Sequence, residues 1–385
     1  MLRRVPIAGS PVELRDLAGA LFGKEDSLSF GGSFGNGDIF FADSATSSIY
    51  MALEAMKNIR AGEEVILPAY TASSILIAVR AAGLRPVLCD ISLEDFNIDY
   101  GLLEEQVNSK TLAVIFVHLF GIVSNRISRF KEQFPKIFVI EDCAQAMGGT
   151  INGQVVGGFG DIGVYSFNRG KNISTYRGGC SAVNNPVLTD EVCRVSGQYM
   201  HKRSTSGRLS VVLKNFLLSL VVRPEIYGLV CPLLKAAHER APDEEVEVFN
   251  YTGYQKRLLS RILKNIESFS EIRYNNGMKL IHCLEACDKV ELPVIAHGTR
   301  PSFNRLPVVF KDVEVMERVM RRLENAGIHS SRMYYETLHR SPLMAGEEGE
   351  CQAASCLAGH LLTLPVHPLV AEQDLEIIIN TIINY

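Results

Sequence analysis

A lysine in a glycine-bearing loop is the residue of this sequence best suited to covalent chemistry. Lys171 ends the segment SFNRGK, directly after a strand-like run, and Gly178 and Gly179 follow soon after. A lysine held in a partly dry site loses proton affinity, and its neutral amine can form a Schiff base with an aldehyde. Most loop lysines are simply solvated, so this prediction depends on the residues that accompany Lys171.

An acidic segment closes another apolar run. The strand-like KIFVI is followed by EDCAQ at residues 141–145, which contains Asp142 and Gln145. An acid at the carboxyl end of a buried strand is costly unless it meets a cation, such as the protonated ring nitrogen of a cofactor. The same acid could instead cap the next helix, and the pattern alone leaves both interpretations open.

A hydroxyl-rich segment stands before a helical pattern. Residues 43–48 read DSATSS and include Thr46 and Ser47. Backbone N–H groups at a helix N-terminus, together with these hydroxyls, would form a phosphate site. Taken alone, ordinary N-capping explains the same residues better. The glycines at 31–37 and 157–161 do not form a dinucleotide-binding motif, and we interpret them as turns.

Together, the three segments match the needs of one cofactor. They offer hydroxyls for a phosphate, a carboxylate for a pyridinium nitrogen and an amine that forms an imine, as pyridoxal 5′-phosphate (PLP) requires. The carboxylate would keep the ring protonated, so that the ring accepts electrons from a substrate carbanion. The combination is much more specific than any one of its members.

Alternating strand and helix patterns must position these residues. Helical patterns at 47–59 and 73–82 alternate with strand-like runs at 64–67, 86–90, 111–118 and 136–141. Unalternating runs rich in valine and isoleucine are typical of parallel strands buried on both faces. We therefore predict an α/β fold with a mostly parallel central sheet flanked by helices, and ligands at the carboxyl ends of its strands.

Composition narrows the classes of function. The 385 residues are enough for two to three domains, and the net charge of −4 gives no basic surface for nucleic acid. Nine scattered cysteines, without C-x-x-C pairs or clustered histidines, predict no metal site and a reducing, cytoplasmic location. The first residues show no pattern of an export signal.

Residues 201–248 interrupt the alternation with an apolar but basic stretch. Its two longest uncharged runs, residues 215–222 and 226–234, are far below the roughly 20 residues that span a bilayer. Two interpretations stay open: the segment packs on the body or a partner subunit, or residues 205–235 rest on the inner face of a membrane. The acidic APDEEVE at 241–247 is predicted to be a solvated linker.

The remaining chain predicts a smaller C-terminal α/β domain. A long helical pattern over 255–288 precedes a strand-like run at 305–310, a helical pattern at 313–326 and an apolar run at 361–366. We therefore divide the chain into residues 1–200, an N-terminal segment with the large cofactor domain, 201–248, the insertion and linker, and 249–385, the long helix and small domain.

Several motifs resemble one known family. The succession SATSS, GEEVILPAYT, VHLFG, EDCAQA, GDIGVYSFNRGKN, FNY and LPVHP is similar to the DegT/StrS-type family of PLP-dependent sugar aminotransferases. The likeness covers roughly residues 25–200 and 248–385. It implies a fold-type I PLP-dependent transferase and a homodimer whose active site lies between the protomers.

The resemblance also implies roles for residues of the first half. Lys171 corresponds to the lysine that carries the cofactor and moves protons, and Asp142 to the partner of the pyridinium nitrogen. Gln145 corresponds to the amide beside the phenolic oxygen of the ring. The positions that match phosphate-binding residues of the family are Thr46, Ser47 and Ser166.

Further assignments follow from the same resemblance. Asn250, within VFNY, corresponds to an asparagine that reaches the phosphate of the other protomer's cofactor. Tyr334 and His339 fall in a segment that faces the substrate in the family. His118 also matches a family position, and there we expect a structural histidine.

The sequence departs from the family at four positions. Ala72 stands where an aromatic residue usually stacks on the cofactor ring, and Thr252 replaces an arginine. Arg177 occupies a position where an acidic or small residue is common, and Tyr335 replaces a proline. The residues for the cofactor are therefore retained, whereas those on the substrate side have changed.

The resemblance implies a transaminase that moves an amino group from L-glutamate to a keto sugar, with a nucleotide-linked sugar as the expected acceptor. Such a reaction would serve surface glycan or secondary-metabolite biosynthesis. Two alternatives remain. A sugar dehydratase is disfavoured because related dehydratases carry histidine in place of Lys171. A PLP-binding but catalytically idle protein with an assembly or regulatory role would explain Ala72 and the missing arginine.

Overall fold

A seven-stranded sheet lies at the centre of the structure, a computed structural model that describes residues 3–23, 30, 32–35, 37–236, 246–345 and 349–385. The strands, in chain order, are β1 (Asp38–Ala42), β2 (Glu64–Pro68), β3 (Arg85–Cys89), β4 (Thr111–Val117), β5 (Phe138–Asp142), β6 (Thr150–Ile151), β7 (Gln154–Val155), β8 (Ile162–Ser166), β9 (Gly179–Val183), β10 (Val290–Glu291), β11 (Thr299–Arg300), β12 (Leu306–Phe310) and β13 (Leu361–Leu364).

The central sheet has the order β1–β9–β8–β5–β4–β2–β3. Five neighbouring strands of this sheet, β3, β2, β4, β5 and β8, run parallel. Strand β9 pairs antiparallel with both β8 and β1. All residues of β2, β4 and β8 are buried, as expected of strands covered on both faces. The predicted mostly parallel α/β sheet is confirmed.

Helices cover both faces of this sheet and continue through the C-terminal part. They are α1 (Leu14–Phe22), α2 (Ala45–Ile59), α3 (Ser73–Ala81), α4 (Tyr100–Gln106), α5 (Ile127–Gln133), α6 (Pro186–Tyr199), α7 (Thr205–Val221), α8 (Pro224–Ala236), α9 (Gly253–Ile262), α10 (Ile266–Leu284), α11 (Val313–Asn325), α12 (Gln352–His360) and α13 (Glu372–Ile383).

A small antiparallel sheet, β10–β12–β13, forms the C-terminal part with α10 to α13. Helix α11 buries Met316, Val319 and Leu323, whose spacing places them on one face. The strands and helix predicted for this part are present. A third sheet, β11–β6–β7, consists of two-residue strands. The division of the chain at residues 200 and 248 stays a prediction.

The predicted single helix over 255–288 is wrong in one respect. The chain forms α9 and α10 with a 3₁₀ turn, Leu263–Asn265, between them. The apolar face continues through this turn, since Leu259, Ile262 and Leu263 are all buried. The spacing of hydrophobic residues therefore could not predict the 3₁₀ turn that separates the two helices.

The insertion forms a pair of packed helices, α7 and α8, of which α7 has an unusual distribution of polarity. Its buried residues are Val211, Asn215 and Ser219, whereas Leu209 and Leu213 are 71% and 58% exposed. The amide of Asn215 donates to the carbonyl oxygen of Thr175 at 3.0 Å, which joins α7 to the body. The predicted linker at 241–247 lies outside the described residues except for its last two.

The N-terminal segment before α1 lies across the C-terminal part. Arg3 forms an ion pair with Asp374 at 2.7 Å, and Nε2 of His367 lies 2.8 Å from the carbonyl oxygen of Pro6. The buried Arg273 donates to the carbonyl oxygen of Gly9 at 2.7 Å. These bonds hold residues 3–9, which we call the N-terminal strap.

Candidate active site

A cavity of about 250 Å³ opens where three parallel strands end. Val117, Asp142 and Ser166 are the last residues of β4, β5 and β8, and all three line it. This is the edge at which ligands of such sheets bind. The other lining residues are Ser44, Ala45, Thr46, Ile49, Thr71, Ala72, Ser74, Ile75, Ala144, Gln145, Asn168 and Lys171.

The N-terminus of α2 forms one wall of the cavity. Ser44 is the N-cap residue, and its hydroxyl accepts a hydrogen bond from the backbone N–H of Ser47 at 3.0 Å. Thr46 therefore lies in the first helical turn, where backbone N–H groups without partners inside the helix favour an anion. Ser47 does not line the cavity, because its buried hydroxyl donates to Asp43 at 3.0 Å. Its phosphate role remains a prediction.

The two acids at the end of β5 point to opposite sides of the sheet, as successive strand residues do. Asp142 faces the cavity. Glu141 instead accepts hydrogen bonds from the backbone N–H groups of Gly157, Phe159 and Gly160 and lies 2.9 Å from Nε2 of His118. Capping of a following helix, one of the two interpretations left open by the sequence, is wrong, because residues 144–148 form turns and Asp142 accepts the local N–H of Ala144 at 2.8 Å. The role of Asp142 as partner of a cationic ring stays a prediction.

Burial determines the protonation of the two charged residues in the cavity. It raises the pKa of Asp142, and the N–H of Ala144 and the charge of Lys171 only partly oppose this. Burial likewise lowers the pKa of Lys171 to about 8, although the charge of Asp142 acts to raise it. A neutral amine is thus accessible near pH 8, and a cation beside Asp142 would restore its charged form.

Two asparagines hold the loop that carries Lys171. The side-chain amide of Asn172 donates to the carbonyl oxygens of Met147 and Ser302 at 3.2 and 3.0 Å. Asn304 in turn donates to the carbonyl oxygen of Gly170 at 2.8 Å and to Oδ1 of Asn172 at 3.0 Å. The residues on both sides of Lys171 are therefore fixed to the segment that precedes β12.

Gln145 connects the cavity to the predicted substrate segment. Its Oε1 accepts the N–H of Phe120 at 3.1 Å, and its Nε2 donates to the hydroxyl of Tyr334 at 3.3 Å. Met333, just before Tyr334, has a φ of +60°, a strained value for a side chain of this size. The strained turn places the Tyr334 hydroxyl next to the amide of Gln145.

The residues of the cavity fit PLP. Lys171 and Asp142 offer the amine and the carboxylate, and Thr46, Ser166 and the start of α2 offer donors for a phosphate. In addition, the buried Oγ1 of Thr71, which also lines the cavity, has no hydrogen-bond partner. A polar ligand in the cavity would supply this missing partner. No aromatic residue is among the described residues that line the cavity, and the effect of Ala72 on stacking with the ring stays a prediction.

Two predicted site residues lie elsewhere in this protomer. Oδ1 of Asn250 accepts the N–H of Arg203 at 3.2 Å, and Asn250 does not line the cavity. His339 lines a second cavity of about 320 Å³ together with Asp90 and Cys351. Its Nε2 lies 3.3 Å from the hydroxyls of Thr337 and Ser355. The roles predicted for Asn250 and His339 thus remain predictions.

Arg305 is a charged residue near Lys171 that the sequence did not reveal. It directly precedes β12, and its charge contributes to the lowered pKa of Lys171. In the sequence it is a single arginine before an apolar run, more than 130 residues from Lys171. Thr71 was not among the predicted site residues either, although its position shortly after the end of β2 was a usable signal.

One group of potential metal ligands occurs among the described residues. Atoms of His118, Glu141 and Cys143 lie within 4.8 Å of one another in the interior. The carboxylate is already occupied by three backbone donors, and Nδ1 of His118 accepts the N–H of Ser124 at 3.1 Å. Burial also raises the pKa of the Cys143 thiol well above its usual range. The group is therefore a satisfied core network, and His118 is structural.

Comparison with known proteins extends these observations. The sequence profile of the DegT/DnrJ/EryC1/StrS aminotransferase family matches residues 35–213 and 249–383. A pleiotropic regulatory protein of Geobacillus stearothermophilus is 26% identical over 347 residues, which cover 88% of this chain and 82% of that protein. A GDP-perosamine synthase of Escherichia coli O157:H7 is 35% identical over 160 residues, or 40% of this chain and 42% of that one.

A solved structure matches the whole architecture. The aminotransferase TlmJ from Streptoalloteichus hindustanus covers 99% of this chain and 98% of its own, with a TM-score of 0.76 and 19% sequence identity. At this identity the likeness establishes the fold. The family profile omits residues 214–248, which contain most of the helical insertion.

Proposed function

The chain belongs to the DegT/DnrJ/EryC1/StrS aminotransferase family, and we propose that it moves an amino group from L-glutamate to a nucleotide-linked keto sugar. The predicted family and fold are confirmed, and the protein is a PLP-dependent aminotransferase. The proposal concerns the donor, the acceptor and a place in surface glycan or secondary-metabolite biosynthesis. Its main support is the cavity that brings Lys171 and Asp142 together at one sheet edge.

The residues of the cavity have separate tasks in this proposal. Thr46, Ser166 and the start of α2 hold the phosphate, and Asp142 holds the protonated ring nitrogen. When bound, PLP supplies an electron sink that stabilises a carbanion at the substrate carbon. The amine of Lys171, with its lowered pKa, would take up a proton from that carbon and donate it to the aldehyde-derived carbon of the cofactor.

The absorbance spectrum of the PLP-loaded protein tests the donor. We expect a visible band that disappears on addition of L-glutamate, and no such band in a Lys171→Ala variant. A persistent band in the wild type would contradict L-glutamate as the donor. Screening of nucleotide-linked keto sugars for restoration of the band then tests the acceptor.

The two alternatives left open by the sequence, a sugar dehydratase and a catalytically idle protein, are wrong, because the protein is a PLP-dependent aminotransferase. Ala72 and the lack of an aromatic residue in the lining therefore concern the strength of cofactor binding and not the type of reaction.

We also propose a homodimer with a shared active site. Asn250 is the observation that supports it, because this residue lies outside the cavity of its own protomer. It is anchored by Arg203, which itself pairs with Asp43 at 2.7 Å beside the start of α2. Sedimentation velocity over a range of concentrations would measure the oligomeric state, and a monomer throughout would contradict the proposal.

Contact with a membrane remains a separate proposal for the insertion. Within the described residues, no helix combines the length and hydrophobicity needed to cross a bilayer. Leu209, Leu213 and Leu217 nevertheless face outward on α7 beside the exposed Arg208 and Lys214, as in helices that lie on anionic lipid. We propose that this face touches the cytoplasmic side of a membrane. Equal co-sedimentation with anionic vesicles by the wild type and a Leu209→Ser, Leu213→Ser variant would refute it.

A further inference from the structure

We propose that Arg305 binds a carboxylate of the amino donor at the entrance beside Lys171, an inference that rests on the proposed aminotransferase function with an amino acid donor. The neighbouring segments fix Arg305 in place. Asn304 joins its segment to the Lys171 loop through Gly170 and Asn172. A Cβ atom on Gly170 would lie 3.9 Å from Nη2 of Arg305, so the guanidinium adjoins this loop.

Arg305 lacks the partners that a structural arginine normally has. A guanidinium carries five N–H donors. Among the described residues, its hydrogen-bond partner is the sulfur of Met333, a weak acceptor, at 3.1 Å from Nη1. The buried Nε has no partner, and no carboxylate of the described chain forms an ion pair with Arg305.

The fully buried Arg273 provides a contrast. It donates to the carbonyl oxygens of Gly9, Phe303 and Asn304 at 2.7, 3.3 and 3.3 Å. These bonds account for its position between the N-terminal strap and the segment before β12. Arg305 makes no comparable set of bonds to carbonyl oxygens among the described residues, so it has donors left for a ligand.

The local charge favours an anion. Burial lowers the pKa of Arg305, and the charge of Arg305 contributes to the lowered pKa of Lys171. Asp142 is the acid that acts on Lys171, and a protonated ring nitrogen of the cofactor would occupy it. Arg305 then carries a positive charge that forms no ion pair with an acid of the described chain, and an entering anion would neutralise it.

A carboxylate of the donor fits this position better than the phosphate of the cofactor. The phosphate donors lie at the start of α2 and at Ser166, whereas Arg305 is not among the residues lining that cavity. Gly170, Lys171, Arg305, Met333 and Tyr334 are all partly exposed, which leaves them open to an entering substrate. The planar guanidinium can bind a carboxylate through two parallel hydrogen bonds.

Binding of glutarate, an unreactive dicarboxylate, to the PLP-loaded protein tests the proposal. We expect Arg305→Gln to raise the dissociation constants of glutarate and L-glutamate about 10- to 100-fold, the range for lost hydrogen bonds to a charged group. The rate of the visible change at saturating L-glutamate should fall much less. The neighbouring Arg332, which donates to the carbonyl oxygens of Ala358 and Gly359, provides the matched control Arg332→Gln.

The outcomes separate this inference from the proposed function. Failure of the wild type to react with L-glutamate while binding glutarate would refute the donor and leave the Arg305 test intact. Unchanged glutarate affinity in Arg305→Gln would overturn the inference, and so would a loss confined to PLP affinity, which would assign Arg305 to the phosphate. If Arg305→Gln does not fold, Arg305→Lys, which lacks the planar fork, should bind glutarate several-fold more weakly, and wild-type affinity there would overturn it.

Discussion

Lys171 and Asp142 oppose each other's response to burial. Burial lowers the pKa of Lys171 to about 8 and raises that of Asp142, and each charge partly reverses the change in the other. A cationic ring in contact with Asp142 would neutralise the charge that raises the pKa of Lys171. The neutral form of the amine would then be favoured further.

The first prediction concerns the pH dependence of cofactor loading. Because only the neutral amine reacts with an aldehyde, the rate at which apoprotein takes up PLP should rise with pH and level off above about 8. Asp142→Asn removes the charge that raises the pKa of Lys171, so its midpoint should lie at lower pH. Stopped-flow absorbance measures both. A rate that keeps rising toward pH 10.5, the ordinary lysine value, would show a solvated Lys171.

The second prediction concerns Ala72. An aromatic ring stacked on a second ring contributes about 0.5–1.5 kcal/mol beyond its buried area. Ala72→Phe should therefore slow PLP dissociation about 2- to 10-fold, as followed by loss of the visible band during dialysis. Ala72→Leu, which adds volume without an aromatic face, is the control. Equal effects of the two variants would show that filled volume rather than stacking matters.

Sequence patterns could locate the residues that a strand end or a helix start positions. Asp142, Ser166 and Thr46 each follow such a local signal, and all three line the cavity. The sequence could not show in which direction a single hydroxyl points. The hydroxyl of Ser47 donates to Asp43 and does not face the cavity. Arg305 was not predictable, because only the folded chain brings the segment before β12 to the Lys171 loop.

At the scale of elements, the segment before β12 supports the catalytic loop. Asn304 makes two hydrogen bonds to residues flanking Lys171. Helix α2 provides the opposite wall, and its N-cap residue Ser44 fixes the direction in which the first turn enters the cavity. The positions of the side chains in the site therefore depend on contacts between elements that are far apart in the chain.

The third prediction follows from this support. Asn304→Ala should lower the free energy of unfolding by about 1–3 kcal/mol, because buried partners lose their hydrogen bonds. It should also reduce the rate of the donor reaction while Lys171 still binds PLP. Urea unfolding and stopped-flow absorbance measure the two effects. Asn275→Ala, which removes an exposed bond to Glu271, is the control and should change neither.

The elements themselves were largely predictable from the periodicity of apolar residues. The buried strand TLAVIFV forms β4 throughout, and α11 has the predicted apolar face. The interruption between α9 and α10 was hidden, because Leu263 remains in the core through the 3₁₀ turn. For α7 the sequence showed only an apolar but basic stretch, and the contact of Asn215 with the body indicates which side of the helix faces inward.

At the scale of the whole molecule, the proposed shared site leads to a fourth prediction. Lys171→Ala and Asn250→Ala damage different components of one site, so a mixed dimer carries one site with both residues intact. Mixing and refolding the two variants in equal amounts should restore about a quarter of wild-type activity if subunits pair at random. Activity no greater than that of the separate variants would contradict a site shared between protomers.

The N-terminal strap has a consequence for how the protein is made on the ribosome. Arg3 pairs with Asp374, and Pro6 with His367, more than 360 residues later in the chain. During translation, Arg3 and Pro6 thus leave the exit tunnel more than 360 residues before these partners. The central sheet can form in the meantime, because its strands lie between residues 38 and 183. Closure of the strap would then follow the formation of the sheet.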